Sequence, residues 1–251
     1  MIKTIESKDN SIIKECMKLT LKKHRDKEGL YLIEGPNLVE EAIKCGAKIR
    51  SILMSEDYEP GFSLEGNDIY FLGNRLFSKV SLTETPQGIM AIVEKPDNNF
   101  AELGEGNVLV LDKLQDPGNI GTMIRTADAA GYKAVILVKG SGDCFSPKVV
   151  RSAAGSLFRV PIIYVEDYLE LEELLRRSGK RIIATGFDTD RYYYDVDLKH
   201  DVALVIGNEG NGVSQELFCM ADEIVKIPMS GNIESLNAAV SAGILMYESI
   251  R

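Results

Sequence analysis

The sequence predicts an α/β protein in two parts: a large C-terminal domain built on a parallel sheet, preceded by a smaller α/β domain. Six apolar runs rich in β-branched residues, at 108–111, 134–138, 161–165, 181–187, 202–206 and 223–227, alternate with helical stretches at 119–130, 147–158, 168–178, 214–221 and 235–250. Near-continuous apolar strands separated by helices are what a doubly wound parallel sheet, covered on both faces, requires. The stretch Lys95-Pro96-Asp97-Asn98-Asn99, followed by Gly104-Glu105-Gly106, is the most linker-like in the chain. It divides the sequence into residues 1–96, a linker at 97–106, and residues 107–251.

The first part reads as short alternating elements. A helix capped by Ser11 carries Ile12, Ile13, Cys16, Met17 and Leu19. Leu30 to Ile33 is a strand, Gly35-Pro36 a turn, and Asn37 to Cys45 a helix stopped by Gly46. Further strands are expected at 49–54, 68–72 and 88–93.

Charge narrows the function classes. The 251 residues carry 29 Lys and Arg against 38 Asp and Glu, a net −9 that excludes a strongly basic coat for nucleic acid. The imbalance is uneven: the first thirty residues hold 8 basic and 5 acidic groups, and residues 101–251 hold 15 and 22. Phosphate contacts are therefore expected first in the N-terminal segment from Lys3 to Lys27, which includes the run Lys22-Lys23-His24-Arg25. Cys16, Cys45, Cys144 and Cys219 are dispersed, and with only His24 and His200 beside them no metal site is expected. No signal peptide or membrane-spanning stretch is visible, so a cytoplasmic protein is expected.

Ligands of doubly wound sheets sit beyond the carboxyl ends of the strands, and three junctions there carry polar groups. The first is Asp116-Pro117-Gly118-Asn119-Ile120-Gly121-Thr122, leading into a helix with a buried stripe at Ile120, Ile124 and Ala127. Asn119 and Arg125 lie six residues apart, about 240° round that helix, so they cannot share a face. A purely structural role is the competing reading, with Asn119 as N-cap and Arg125 paired to Asp128. The second junction is Gly207-Asn208-Glu209-Gly210-Asn211-Gly212. Its glycine order is neither that of a dinucleotide fingerprint nor that of a P-loop, and its Glu argues against phosphate. The third runs from Ile227 through Pro228 and Met229 to Asn237, with Ser235 or Asn232 as cap of the last helix. That helix has an apolar stripe at Leu236, Val240, Ile244 and Tyr247 and a small-residue side at Ala238, Ala239, Ala242 and Gly243, as in a buried or subunit-facing helix.

Taken together, DPGNIGTMIRTADAAG, LVIGNEGNGVS and IPMSGNIESLNAAVSAGILMYE resemble the three motifs of the SpoU (TrmH) family of RNA ribose 2′-O-methyltransferases, in the SPOUT superfamily. Order, spacing and C-terminal placement agree over the whole second part. The first part is similar, more weakly, to an L30-like RNA-binding domain, on Tyr31-Leu32-Ile33-Glu34-Gly35. The resemblance implies a deep trefoil knot, S-adenosyl-L-methionine as cofactor, a homodimer, and an RNA substrate, 23S rRNA before tRNA. It implies catalytic roles for Asn119, Arg125, Glu209, Ser235 and Asn237. It also implies a cofactor pocket from Thr185, Gly186, Gly207, Asn208, Glu209, Gly212, Ile227, Pro228, Met229, Ser235, Leu236 and Asn237.

RNA contacts are expected from Lys22, Lys23, Arg25 and Arg125, with no metal and no membrane. Arg125 has two open roles, proton acceptor or phosphate clamp oriented by Glu209, since a guanidinium pKa above ~12 suits a base poorly. The rivals are a non-catalytic RNA-binding paralogue and a nucleotide-dependent α/β enzyme.

Overall fold

The computed structural model describes residues 2–97 and 102–251. Residues 98–101 of the expected linker lie outside the described residues. The chain packs as two compact units. One is Met1–Pro96 with Asp143–Phe158, and the other is Asp97–Gly142 with Arg159–Arg251.

The first unit begins with β1 (Ile2–Ile5), α1 (Ser11–Leu19), α2 (Lys22–Glu28), β2 (Leu30–Glu34) and α3 (Pro36–Lys44). It continues with β3 (Ile49–Ser55), β4 (Ile69–Leu72), α4 (Asn74–Val80) and β5 (Ile89–Glu94). The five strands form a mixed sheet in the order β1-β4-β3-β5-β2. β2 and β3 run antiparallel to β5, and β1 and β3 parallel to β4. Ile13, Cys16 and Leu19 of α1 close over Leu32, Leu53, Phe77 and Ile92. The cap of α1 is Asn10, whose Oδ1 accepts from the Ile12 amide at 2.9 Å, one residue before the expected Ser11.

The second unit contains β6 (Val108–Leu111), α5 (Pro117–Ala129) and β7 (Ala134–Val138). The chain then passes through α6 (Pro147–Ala153), which packs in the first unit, and returns as β8 (Ile162–Val165). It ends with α7 (Tyr168–Arg177), β9 (Arg181–Thr185), β10 (Val202–Ile206), α8 (Gln215–Met220), β11 (Glu223–Val225) and α9 (Ala238–Glu248). All six strands are parallel, in the order β11-β9-β10-β6-β7-β8. Burial explains their legibility: β6, β7 and β10 are buried at every residue, so each reads as an unbroken apolar run.

Three expectations shift. The helix expected over 147–158 ends at Ala153, because Ala154 adopts φ 48° and a 3-10 turn follows at Ser156–Phe158. Its segment belongs to the first unit, where the Phe145 ring lies 4.9 Å from that of Tyr31. The end of the expected linker is anchored in the second unit. Leu103 is in that unit's core, and the fully buried Lys180 ammonium donates to the Gly104 carbonyl (2.7 Å), the Gly106 carbonyl (2.7 Å) and Asp201 (2.6 Å). No disulfide joins the four cysteines.

Candidate active site

The carboxyl ends of β6 and of its neighbour β10 release the first two motif loops, and hydrogen bonds tie one loop to the other. Buried Asp112, just after β6, accepts from the Ser214 amide (2.7 Å) and the Tyr168 hydroxyl (2.9 Å). Lys113 takes φ 55°, and its carbonyl accepts from Asn208 Nδ2 at 2.8 Å. Asn208 also pairs by its main chain with Gly212, closing the second loop on itself. That closure explains Gly207: a Cβ there would lie 2.2 Å from the carbonyl carbon of Gly212. Gly207 is thus required by the turn itself.

Asp116 caps α5, accepting the Asn119 amide at 2.8 Å. Asn119 is therefore not the cap, and its carboxamide is left for other partners. Its Nδ2 donates to Glu209 Oε1 at 3.0 Å, and its Oδ1 accepts from Asn237 Nδ2 at 3.0 Å. Asn237 Oδ1 in turn accepts the Ala239 and Val240 amides and caps α9, so neither Ser235 nor Asn232 does. The relay has one sense: ionised Glu209 only accepts, so Asn119 must present its NH2 to it and its oxygen to Asn237. Each amide group keeps one N–H beyond those used in the relay.

Partial burial alone would raise the Glu209 pKa, but bonds from Asn119 and from the Gln115 and Asp116 amides hold it below the ordinary 4.5. The expected Arg125–Glu209 pair does not form. Arg125 stands exposed on α5 with no hydrogen bond or ion pair among the described residues. Nor does it pair with Asp128, whose carboxylate takes Arg159 at 2.7 Å.

The other expected site residues fall into two groups. Ile227, Met229 and Leu236 are half-buried, and Pro228 and Ser235 are exposed. From Ile227 to Leu236 no main-chain group is hydrogen-bonded among the described residues. The Gly186 amide, by contrast, is bonded to the Val225 carbonyl, and the Thr185 hydroxyl donates to the Val205 carbonyl at 3.0 Å. The hydrogen-bonding groups of these two residues are thus engaged within the protein. The unpaired main chain at 227–236, in the third motif loop, fits a ligand that brings its own donors and acceptors, as a nucleoside does; at the end of the second loop the Ser214 hydroxyl is buried without a partner.

Of the expected RNA contacts, Arg25 is corrected. It is 3% exposed, its guanidinium bonded to Asp143 at 2.6 Å and to the Leu19 carbonyl at 2.7 Å, so it presents no charge to a ligand. Lys22 and Lys23 are both exposed, and Lys22 is paired with Asp26. A cavity of about 390 Å³ opens beside them in the first unit, lined among others by Lys14, Lys18, His24 and Arg50. Lys14 and Lys18 fall within the expected segment Lys3–Lys27, four residues apart on α1, whereas Arg50 lies outside it and is brought there only by the fold. Among the described residues no cluster of three or more His, Cys, Asp or Glu suits a metal, and no helix is long and apolar enough to cross a membrane.

Comparison with known proteins agrees with this geometry. Residues 10–91 match the MRM3-like substrate binding domain. The chain is 41% identical over 247 residues to the 23S rRNA (guanosine(2553)-2′-O)-methyltransferase RlmP of Bacillus subtilis (strain 168), covering 98% of both chains. Among solved structures, an AdoMet-bound rRNA methyltransferase from Sinorhizobium meliloti matches with a TM-score of 0.86 at 31% identity, covering 99% of this chain and 97% of that one. The SpoU methyltransferase AviRb from Streptomyces viridochromogenes, in complex with AdoMet, matches with a TM-score of 0.87 at 28% identity, covering 96% and 97%. Residues 106–247, which hold all three loops and the relay joining them, match the SpoU rRNA methylase family, and the chain belongs to that family.

Proposed function

We propose that this protein is a cytoplasmic, S-adenosylmethionine-dependent methyltransferase that modifies a ribose 2′-hydroxyl of 23S rRNA. The observation that carries the proposal is the relay Glu209–Asn119–Asn237, which joins all three motif loops through oriented side-chain amides. A non-catalytic RNA binder has no need of it. The RNA substrate is supported by the rRNA methyltransferases the chain resembles and by the substrate-binding family of residues 10–91.

When bound, the cofactor supplies an electrophilic methyl group on a sulfonium. The chain's own residues bind and align. The unpaired main chain of 227–236 would hold the nucleoside and methionine parts, with Thr185, Gly186, Gly207, Asn208 and Gly212 shaping the walls. The ionised Glu209 adds negative charge suited to a cation. Glu209 fits a positioning role better than that of a base, because its depressed pKa makes it a weak proton acceptor. The spare N–H groups of Asn119 and Asn237 are free to orient the ribose, and Ser235, exposed two residues before Asn237, supplies a further hydroxyl. Alignment of this kind contributes up to ~7–11 kcal/mol in favourable cases.

Arg125 supplies the remaining charge. It stands exposed on α5, the helix packed on α9; Val240 and Tyr247 of α9, and Ile250 just beyond it, are more than half exposed. A second copy would cover that apolar face, and an unpaired Arg125 is then free to serve the partner's site as phosphate clamp. The trefoil knot belongs to the same reading, supported by the return of the chain from edge strand β11 to α9 beside α5. RNA phosphates would meet Lys14, Lys18, Lys22, Lys23 and Arg50.

Transfer of labelled methyl to a 23S rRNA transcript tests this. Wild type transfers label; Arg125→Ala and Asn119→Ala each lose it while calorimetry finds cofactor affinity retained. Mixing the two inactive variants restores part of the activity, because one mixed dimer site has both residues. Lost cofactor binding in Arg125→Ala, or no recovery on mixing, contradicts the assignment.

A further inference from the structure

Between β9 and β10 the chain carries Phe187-Asp188-Thr189-Asp190-Arg191-Tyr192-Tyr193-Tyr194-Asp195, and nothing in the methyl-transfer chemistry uses these aromatic rings. They form an ordered cluster. The Tyr192 and Tyr194 rings stack with centroids 5.3 Å apart and planes 19° apart, and Tyr193 meets Tyr194 edge-on at 5.1 Å. The Lys226 ammonium lies over the Tyr192 ring, 5.4 Å from its centroid. Tyr194 is nonetheless 51% exposed.

Hydrogen bonds fix the cluster along the outer edge of β11. The Tyr193 amide donates to the Lys226 carbonyl (3.1 Å), the Lys226 amide to the Arg191 carbonyl (3.0 Å), and the Thr189 hydroxyl to the Ile224 carbonyl (3.0 Å). Arg191 pairs with Glu223. Lys226 immediately precedes Ile227, so the cluster adjoins the unpaired main chain of the cofactor pocket.

Tyr192 and Tyr193 are half-buried, and Tyr194 is the ring of the cluster that is exposed to solvent. A rigid aromatic surface beside an ammonium suits the face of a nucleobase, and such stacking tolerates any base. The charge around it selects the base over the phosphate. Asp188, Asp190 and Asp195 lie in the same segment, whose one arginine is already paired.

We propose that Tyr194, stacked on Tyr192 beside Lys226, is the platform for an unpaired base of the RNA substrate flanking the methylated nucleotide. The proposal rests on the reading of the site as an RNA methyltransferase.

Two measurements test it with the full-length protein and S-adenosylmethionine. In steady-state methylation of a 23S rRNA transcript, Tyr194→Ala raises KM for RNA about 10-fold, within the range of one lost base stack. Its kcat and cofactor affinity stay unchanged, and Tyr194→Phe, which keeps the ring, behaves as wild type. An unchanged KM in Tyr194→Ala, or an equal loss in Tyr194→Phe, overturns the platform. The second readout needs no activity. The chain has ten Tyr and no Trp, so tyrosine emission reports directly, and a single-stranded ten-nucleotide oligoadenylate quenches it in wild type but much less in Tyr194→Ala. Equal quenching in both overturns the proposal, as does a Tyr194→Ala protein that sediments as a smaller species, which would make the cluster a contact between copies. If wild type transfers no methyl yet the quenching difference holds, the catalytic reading fails and the platform stands.

Discussion

Asn119 is available to the site because Asp116, three residues earlier, takes the capping role on α5. From sequence alone Asn119 looked equally good as a cap, since both residues are favoured there. Only the fold distinguishes them, by bringing Glu209 and Asn237 from 90 and 118 residues away. A relay built from distant chain positions leaves no local signature; the identities of its members were legible only through the three motifs together. Asn119→Asp is the sharpest probe, because it places a second acceptor against Glu209 and loses the donor. Turnover is expected to fall about 10²-fold, the scale of a small misplacement at a reacting centre, with RNA affinity within twofold. A loss confined to RNA affinity reassigns Asn119 to binding. The pH dependence of stability follows from Glu209. Its folded pKa is depressed, so its stabilisation is present above the ordinary value of 4.5 and is lost as pH falls through the lower folded value. Thermal melting of Glu209→Gln should therefore fall less steeply than wild type below about pH 4.5; parallel curves contradict the role of its carboxylate.

At the scale of elements, burial decided what the sequence revealed. The strands of the second unit, apolar along nearly their whole length, were all legible. β1 was not, since three of its four residues are exposed. Nor was α2: Lys-Lys-His-Arg-Asp-Lys-Glu has no apolar stripe and reads as a solvated basic run. Its buried residue is Arg25, whose partner Asp143 is 118 residues away. The pair also ties the segment of α6 to the helices and sheet of the first unit. Breaking a buried pair from one side costs roughly 3–5 kcal/mol, because a charge is left unpaired, whereas replacing both partners by apolar groups is often near neutral. Urea unfolding should find Asp143→Ala strongly destabilised and Arg25→Met with Asp143→Leu much closer to wild type. If the single and double variants lose the same stability, packing rather than charge holds the segment.

Over the whole molecule, the net charge of −9 acquires a distribution. The acidic surface belongs mainly to the half of the sequence that carries the motif loops, where a cationic cofactor and a base-stacking surface require no cationic coat. The basic groups Lys14, Lys18 and Arg50 gather in the first unit around a cavity. Methylation of a ribose oxygen leaves a chemical signature of its own. Alkali cleaves RNA through the free 2′-hydroxyl, so a 2′-O-methyl group protects the bond that follows it. The direct measurement is to incubate the protein with 23S rRNA and methyl-labelled S-adenosylmethionine, hydrolyse the RNA in alkali, and size the labelled products. Label in alkali-resistant dinucleotides is the predicted result; label in mononucleotides, which marks a methylated base, or no transfer at all contradicts it.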